Sequence, residues 1–192
     1  VIKAKNPDGV VLTMGTDTMS YAAPLLSFLF NSIQIPIVIT GSQRSIDRPS
    51  SDAFMNLICA SIAASSKKFS GVFTCLHATS DDRHCLLIRG TKVRKMHTSR
   101  RDAFRPINSS AVAKIFTNKK IEIIDDSQCH TRQSSAQKEN PHDLIDGGCD
   151  SAVALLTIHP GFSPKIIEDC IARKCRGIVL CATALGHVCT AG

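Results

Sequence analysis

No run of apolar residues in the 192-residue chain approaches the roughly 18 that a membrane-spanning helix needs, so no such helix is expected. Cysteines never fall at C-x-x-C spacing, which argues against a structural zinc site or a dithiol redox centre. The histidines (77, 84, 97, 130, 142, 159 and 187) are scattered, whereas a metal centre needs two or three converging with a carboxylate, so no metal is expected. No internal repeat occurs. The opening VIKAKNPDG has no charged start feeding an apolar stretch, so no signal peptide is expected. Nor does it begin with methionine, which fits a piece of a longer polypeptide.

Hydrophobic residues make up 43% and charged residues 20%, a normal balance for a globular protein with a sizeable core. The length suits one large α/β domain, or one domain plus part of a second. Cysteines number nine, an odd count, and Cys59 in NLICASIA and Cys75 in VFTCLH lie inside apolar runs. Free thiols acting as small buried hydrophobes in a reducing compartment fit this pattern, so a cytoplasmic location is expected. The net charge is +7, and it is concentrated. Arg89, Lys92, Arg94, Lys95, Arg100, Arg101 and Arg105 face the single acid Asp102 within one segment. Such a segment is either a solvated basic loop or a surface for a polyanion or an anionic substrate.

Short apolar, β-branched runs at GVVLTM (9–14), IPIVIT (35–40), GVFTCLHA (71–78) and CLLIRG (85–90) predict buried strands. Between them, MSYAAPLLSFLFNS (19–32) places Ala22, Leu25, Leu26 and Leu29 at helical spacing, with Pro24 kinking or tightening its first turns. A second helix is expected through AFMNLICASIAAS, capped by Ser50 or Ser51. FRPINSSAVAKIF (104–116) reads as mixed, exposed structure. The polar stretch 125–150 reads as a linker, and a strand–helix–strand unit follows, its helix capped at Ser163 with Pro164 at the first position. The pattern is α/β: a parallel sheet with helices on both faces, then the start of a second, smaller α/β domain at 151–192.

In such sheets ligands sit at the carboxyl ends of strands. MGTDTM (14–19), GSQRS and RGTKVRK all follow apolar runs and are expected on that one edge. Thr16, Asp17 or Thr18 could simply cap the following helix. Alternatively, the group is chemical. A threonine hydroxyl is a poor nucleophile until something removes its proton. Lys95 has like-charged neighbours such as Arg94 and Arg101, and if it is also desolvated a neutral amine becomes available as the base. Asp17 could then hold that lysine or bind a substrate ammonium. Backbone N–H groups near the turn could help bind a developing oxyanion.

The stretches VVLTMGTDTM and IPIVITGSQRS, each followed by a helix, resemble the amino-terminal domain of the L-asparaginase family. GSQRSIDRPSSDAFMNL and RGTKVRKMHTSRRDAFRPIN are similar to a branch of that family, the D subunits of archaeal glutamyl-tRNA(Gln) amidotransferases. The similarity runs from about Gly9 to Asn108 and resumes from Ala152 to His187. It implies an asparaginase-like amidase domain over 1–124 that hydrolyses a side-chain amide, glutamine to glutamate, through an acyl-enzyme on threonine and without a cofactor. The ammonia would pass to a partner subunit acting on misacylated tRNA. By motif, Thr16 corresponds to the second active-site threonine, Asp17 to the adjacent carboxylate and Lys95 to the lysine. Gly15, Thr16 and Asp17 would contact the substrate amino acid. Arg94, Arg100 and Arg101 would tune Lys95 or face tRNA phosphates, and a homodimer is implied. A free-standing cytoplasmic L-asparaginase and a non-catalytic binding module of the same fold remain alternatives.

Three departures from the family pattern stand out. Nothing resembles the TGGTI-type motif with the other essential threonine, Met14 replaces the usual histidine before GTDT, and the second domain reaches Gly192 after one strand–helix–strand unit. The expectation is that the isolated 192-residue chain does not hydrolyse glutamine, which an ammonia-release assay on the purified chain checks.

Overall fold

The computed structural model describes residues 7–130 and 149–188. The chain divides into two compact units, Val1–Asp146 and Gly147–Gly192. The first contains a six-stranded sheet in the order β1 (Val10–Thr13), β2 (Pro36–Thr40), β3 (Gly71–His77), β4 (Cys85–Arg89), β7 (Ala113–Ile115) and β8 (Ile121–Ile123). Its opening half follows the sequence pattern: β1 (Val10–Thr13), α1 (Met19–Leu29), β2 (Pro36–Thr40), α2 (Ala53–Ser65) and β3 (Gly71–His77) alternate. The three strands pair in parallel, each crossover being long enough to hold a helix. Side-chain alternation then divides the core. Ile37 and Ile39 of β2 face Met19 and Ala23 of α1, whereas Val38 faces Met55, Cys59, Ala60 and Ala63 of α2. Two separate apolar clusters on the two faces of one sheet follow from the period of two.

The other half departs from an all-parallel sheet. β4 (Cys85–Arg89) pairs antiparallel with β3, β7 (Ala113–Ile115) antiparallel with β4, and β8 (Ile121–Ile123) antiparallel with β7. Only residues 78–84 separate β3 from β4, too few for a crossover, so the chain turns back; the Ala78 N–H donates to His84 O at 3.1 Å to close the turn. A parallel connection needs about a dozen residues. The α/β class stands, with a mixed sheet.

Some local expectations change. The buried face of α1 runs through Met19 and Ala23, with Leu26 packed beside it, while Leu25 is exposed. The residue before α2 is Asp52 rather than a serine, although Ser51 Oγ does accept the Ala53 N–H at 3.2 Å. Segment 104–116 is not an exposed region: Phe104, Ala111, Val112, Ala113 and Ile115 are all core residues. Its apolar positions are interrupted by Pro106 and Asn108, which hides the pattern. Of the 125–150 stretch, residues 131–148 lie outside the described residues. Asp125 and Cys129 are bonded to the first unit, through the Asp125 N–H to Val112 O at 3.2 Å and the Ser70 N–H to Cys129 O at 3.0 Å.

Among the described cysteines, 59, 75, 85 and 129 are buried and free, as the apolar runs around two of them suggest, whereas 149 and 181 are exposed. Among the described residues, no helix is long and apolar enough to cross a membrane. The second unit is a parallel pair, β9 (Val153–Thr157) with β10 (Gly177–Cys181), joined through α3 (Lys165–Ala172). Pro164, not Ser163, occupies the position before α3, a one-residue difference of the kind common at helix ends.

Phe73 anchors the first core. It is fully buried, edge-on to Phe69 at 5.8 Å, and covered by the Arg89 guanidinium. Truncation to alanine leaves a cavity between sheet and helix, so Phe73→Ala is expected to lower unfolding free energy by about 3–5 kcal/mol, measurable by denaturant titration.

Candidate active site

The GTDT turn links β1 to α1. Thr18 takes the position before the helix without a side-chain capping bond, so the helix start does not account for these polar side chains. Instead the Thr16 and Asp17 side chains reach a lysine 79 and 78 residues further along the chain.

The route by which that lysine arrives was not legible from strand order. Because β4 runs antiparallel to β3, Arg89 lies opposite Phe73 near the start of β3. RGTK therefore begins at the edge of the sheet opposite GTDT. The chain returns through a 3-10 turn at Gly90–Lys92 and β5 (Val93–Lys95), paired with β6 (Phe104–Pro106), along the flank of α1. A Cβ on Gly90 would lie 2.5 Å from Ser27 Oγ and 2.9 Å from Ala23 O, so only glycine permits this approach. Nearer the start of α1, Ser20 Oγ accepts the Lys95 N–H at 2.8 Å. The segment thus lies along α1 and delivers Lys95 to its amino-terminal end.

There the Lys95 ammonium donates to Thr16 Oγ1 at 2.9 Å and to Asp17 Oδ1 at 2.7 Å. Lys95 is mostly buried, its side chain 13% exposed, and Asp17 is almost fully exposed at 93%. The hydrogen bond and charge of Lys95 hold the Asp17 carboxyl below its ordinary value of 3.8. A pocket of about 380 Å³ opens over the pair, lined by Asp17, Ser20, Tyr21, Arg94, Lys95 and His97 among others. Tyr21 is 63% exposed and lines this pocket. Gly15 lies on a separate, more apolar pocket with Met14, Ile46 and Phe54. The arrangement can hold an amino-acid-sized polar ligand, and it places an amine within proton-transfer distance of a hydroxyl.

The three arginines behave differently from one another. Arg94 is exposed at the pocket rim. Arg100 forms a two-pronged pair with Asp102 at 2.9 and 3.0 Å, and Arg105 also donates to Asp102. Arg101 donates to Asp82 at 2.6 Å. These pairs hold both carboxyls below the usual range, Asp102 mainly through Arg100 and Asp82 mainly through its bond to His77.

Residues beside the site that the motifs did not reveal are buried and polar. Asp52 and Asn56 are wholly inaccessible. The Asp52 carboxylate accepts the N–H groups of Gln43, at 2.9 Å, and Arg44, also at 2.9 Å. Gln43 Nε2 in turn donates to Arg100 O at 3.0 Å. The signal was present in α2: Asn56 shares one helix face with Cys59, Ala60 and Ala63, a polar residue in line with small apolar ones.

Residues 2–129 match the family model for the asparaginase amino-terminal domain. The chain belongs to the asparaginase family. Among its relatives, the D subunit of the glutamyl-tRNA(Gln) amidotransferase of Pyrococcus horikoshii is 47% identical over 93% of this chain and 39% of that protein. The corresponding D subunit of Sulfolobus acidocaldarius is 46% identical over 95% and 40%. The chain thus spans about two-fifths of the length of these curated relatives. Of solved structures, the thermostable L-asparaginase from Thermococcus kodakarensis superposes with a TM-score of 0.75 at 31% identity, covering 95% of this chain and 50% of that one. A probable cytoplasmic L-asparaginase from Campylobacter jejuni, at 22% identity and a TM-score of 0.76 over 98% of this chain and 56% of that one, shares the fold.

Two outcomes follow from the geometry. Gly90→Ala forces the 90–95 segment off α1 and is expected to cost about 1–3 kcal/mol of stability, as overpacked sites do, read by thermal or denaturant unfolding. Asp17 has a folded-state value below its unfolded one, so the pair contributes stability above the unfolded value and loses it as pH falls through the folded one. A carboxyl-detected NMR titration is expected to place the Asp17 midpoint below 3.8 and to return it toward 3.8 in Lys95→Met.

Proposed function

We propose that Thr16, Lys95 and Asp17 are the proton-handling part of an amidase site that releases ammonia from the side-chain amide of glutamine. The observation that carries this reading is the Lys95 amine within hydrogen-bond distance of both the Thr16 hydroxyl and the Asp17 carboxylate. When Lys95 is neutral, its lone pair accepts the Thr16 hydroxyl proton and raises the nucleophilicity at that oxygen or at a group bonded to it. Attack on the amide carbon forms the new O–C bond and a tetrahedral oxyanion, whose collapse breaks the C–N bond. The proton returns through Lys95 to the departing nitrogen, which leaves as ammonia, and water then hydrolyses the acyl-enzyme. Asp17 orients the lysine and, being open to the pocket, suits a substrate ammonium. Backbone N–H groups in the GTDT turn suit the developing oxyanion.

For the whole protein we extend this to an amidotransferase role in the cytoplasm. There a homodimer would pass ammonia to a partner subunit that amidates glutamate on tRNA(Gln). The similarity to named D subunits over more than nine-tenths of the chain supports it. Of Arg94, Arg100 and Arg101, Arg94, exposed at the pocket rim, is the one that best suits a tRNA phosphate. A free-standing asparaginase is the second reading, favoured by the similarity to the Thermococcus kodakarensis L-asparaginase.

Ammonia release from glutamine and from asparagine, measured for the full-length protein with and without its partner subunit, tests both. Thr16→Ala and Lys95→Ala are each expected to lower kcat by about 10²–10⁴-fold, the usual worth of a positioned acid–base group. A preference for glutamine supports the amidotransferase, and a preference for asparagine supports the second reading. Undiminished turnover in either variant would remove these residues from the chemistry.

A further inference from the structure

The Asn56 side chain is the buried centre of a polar network whose arms come to the loops around the site. Its Nδ2 donates to Gly41 O at 2.8 Å and to Asp52 Oδ2 at 3.0 Å. Its Oδ1 lies 2.6 Å from His77 Nδ1 and accepts the Cys85 thiol at 3.4 Å. Both amide donors and the amide oxygen are therefore used, which also fixes the orientation of the amide.

Two arms leave this centre. Through Asp52 the first arm holds the backbone of Gln43 and Arg44, and the Gln43 amide continues to Arg100 O at 3.0 Å, with Thr98 O at 3.4 Å. The second arm runs through His77, whose Nε2 lies 3.0 Å from Asp82 Oδ1, and Asp82 accepts Arg101 at 2.6 Å. Both arms end on the loop that directly follows Lys95. The third branch ends at Gly41, which is packed so tightly on the GTDT strand that a Cβ there would lie 2.3 Å from Met14 O and 3.5 Å from Thr16 Cγ2.

Burying an aspartate, an asparagine and a histidine together is costly wherever an apolar core of the same volume would serve. What a fully bonded network adds is a single geometry. Here that geometry relates the Thr16 strand end to the loop that follows Lys95, which the backbone connects only through some 80 residues and a reversal of strand direction.

We propose that Asn56, Asp52, Gln43, His77, Asp82 and Arg101 are positioning residues that hold the Lys95 loop in register with the Thr16–Asp17 turn. The proposal rests on the reading of Thr16, Lys95 and Asp17 as one site. None of the six touches the amine–hydroxyl pair, so each acts through the loop.

Asn56→Ala removes the centre but risks the core of α2, so the arms are tested separately with Gln43→Ala and Arg101→Met and then together. The readout is the rate of Lys95 acylation by limiting acetic anhydride, mapped by peptide mass spectrometry with Lys114 as internal reference, alongside thermal unfolding. Each single variant is expected to raise Lys95 labelling about threefold to tenfold through local opening of the loop, with unfolding still cooperative, and the double variant to raise it further. In a preparation that hydrolyses amide, kcat is expected to fall roughly tenfold to a hundredfold with KM nearly unchanged, as for a misplacement of about 1 Å. Labelling needs no turnover, so a protein lacking amidase activity would overturn the functional reading and leave this one standing. Lys95 labelling unchanged in the double variant would overturn the network's role.

Discussion

The Lys95 amine meets Thr16 and Asp17 only because residues 90–95 are pressed against the flank of α1. Gly90 allows the backbones to approach, Ser20 receives the Lys95 N–H, and the lysine side chain completes the path. Strand order alone would separate these groups, since β4 leaves the sheet at the end opposite the GTDT turn. The site is thus a product of a helix flank as much as of a sheet edge. This distinguishes it from the simplest doubly wound arrangement, in which loops from parallel strands converge by default.

Much of this could be read from the residues, and the boundary of what could is physical. β1, β2 and β3 were visible because each is a short, apolar run, and their helices because the intervening segments are too long for turns. The pairing of Thr16, Asp17 and Lys95 came from motif resemblance, since charge and spacing alone favoured a capped turn. Direction was hidden in loop length: residues 78–84 are too few for a crossover, and that count overrules the apolar character of CLLIRG. β6 and β7 were hidden by Pro106, Asn108 and two serines, which break the alternation of a segment whose apolar members are nevertheless buried. Asp52 and Asn56 were hidden because their importance lies in partners far along the chain, which local periodicity does not report.

Carboxylates and amides inside this core share a placement rule. Asp52 and Asn56 sit at the start of α2 and in its first turn, and His77 sits at the end of β3, so this buried network is confined to the end of the sheet where the site lies. Toward the other end the same layers are filled by Val72, Phe73, Phe69 and Ala63. One end of the domain is therefore specified by directional bonds and the other by packing. Apolar substitution is tolerated where volume decides, and much less where donors and acceptors must match.

The basic run from Arg89 to Arg105 looks, as a count, like a strong source of long-range field. In the folded chain part of that charge is paired: Asp102, nearly inaccessible, is shared by Arg100 and Arg105, whereas Asp82, which takes Arg101, is itself largely exposed. Fields from exposed charges fade over about 8 Å at physiological ionic strength, whereas buried pairs are screened far less. A rise in salt therefore weakens whatever attraction the surface exerts on a distant polyanion and disturbs least the bonds made to the buried Asp102 carboxylate. Recognition at a distance and geometry at close range would respond to ionic strength on separate scales, although both are drawn from one stretch of arginines.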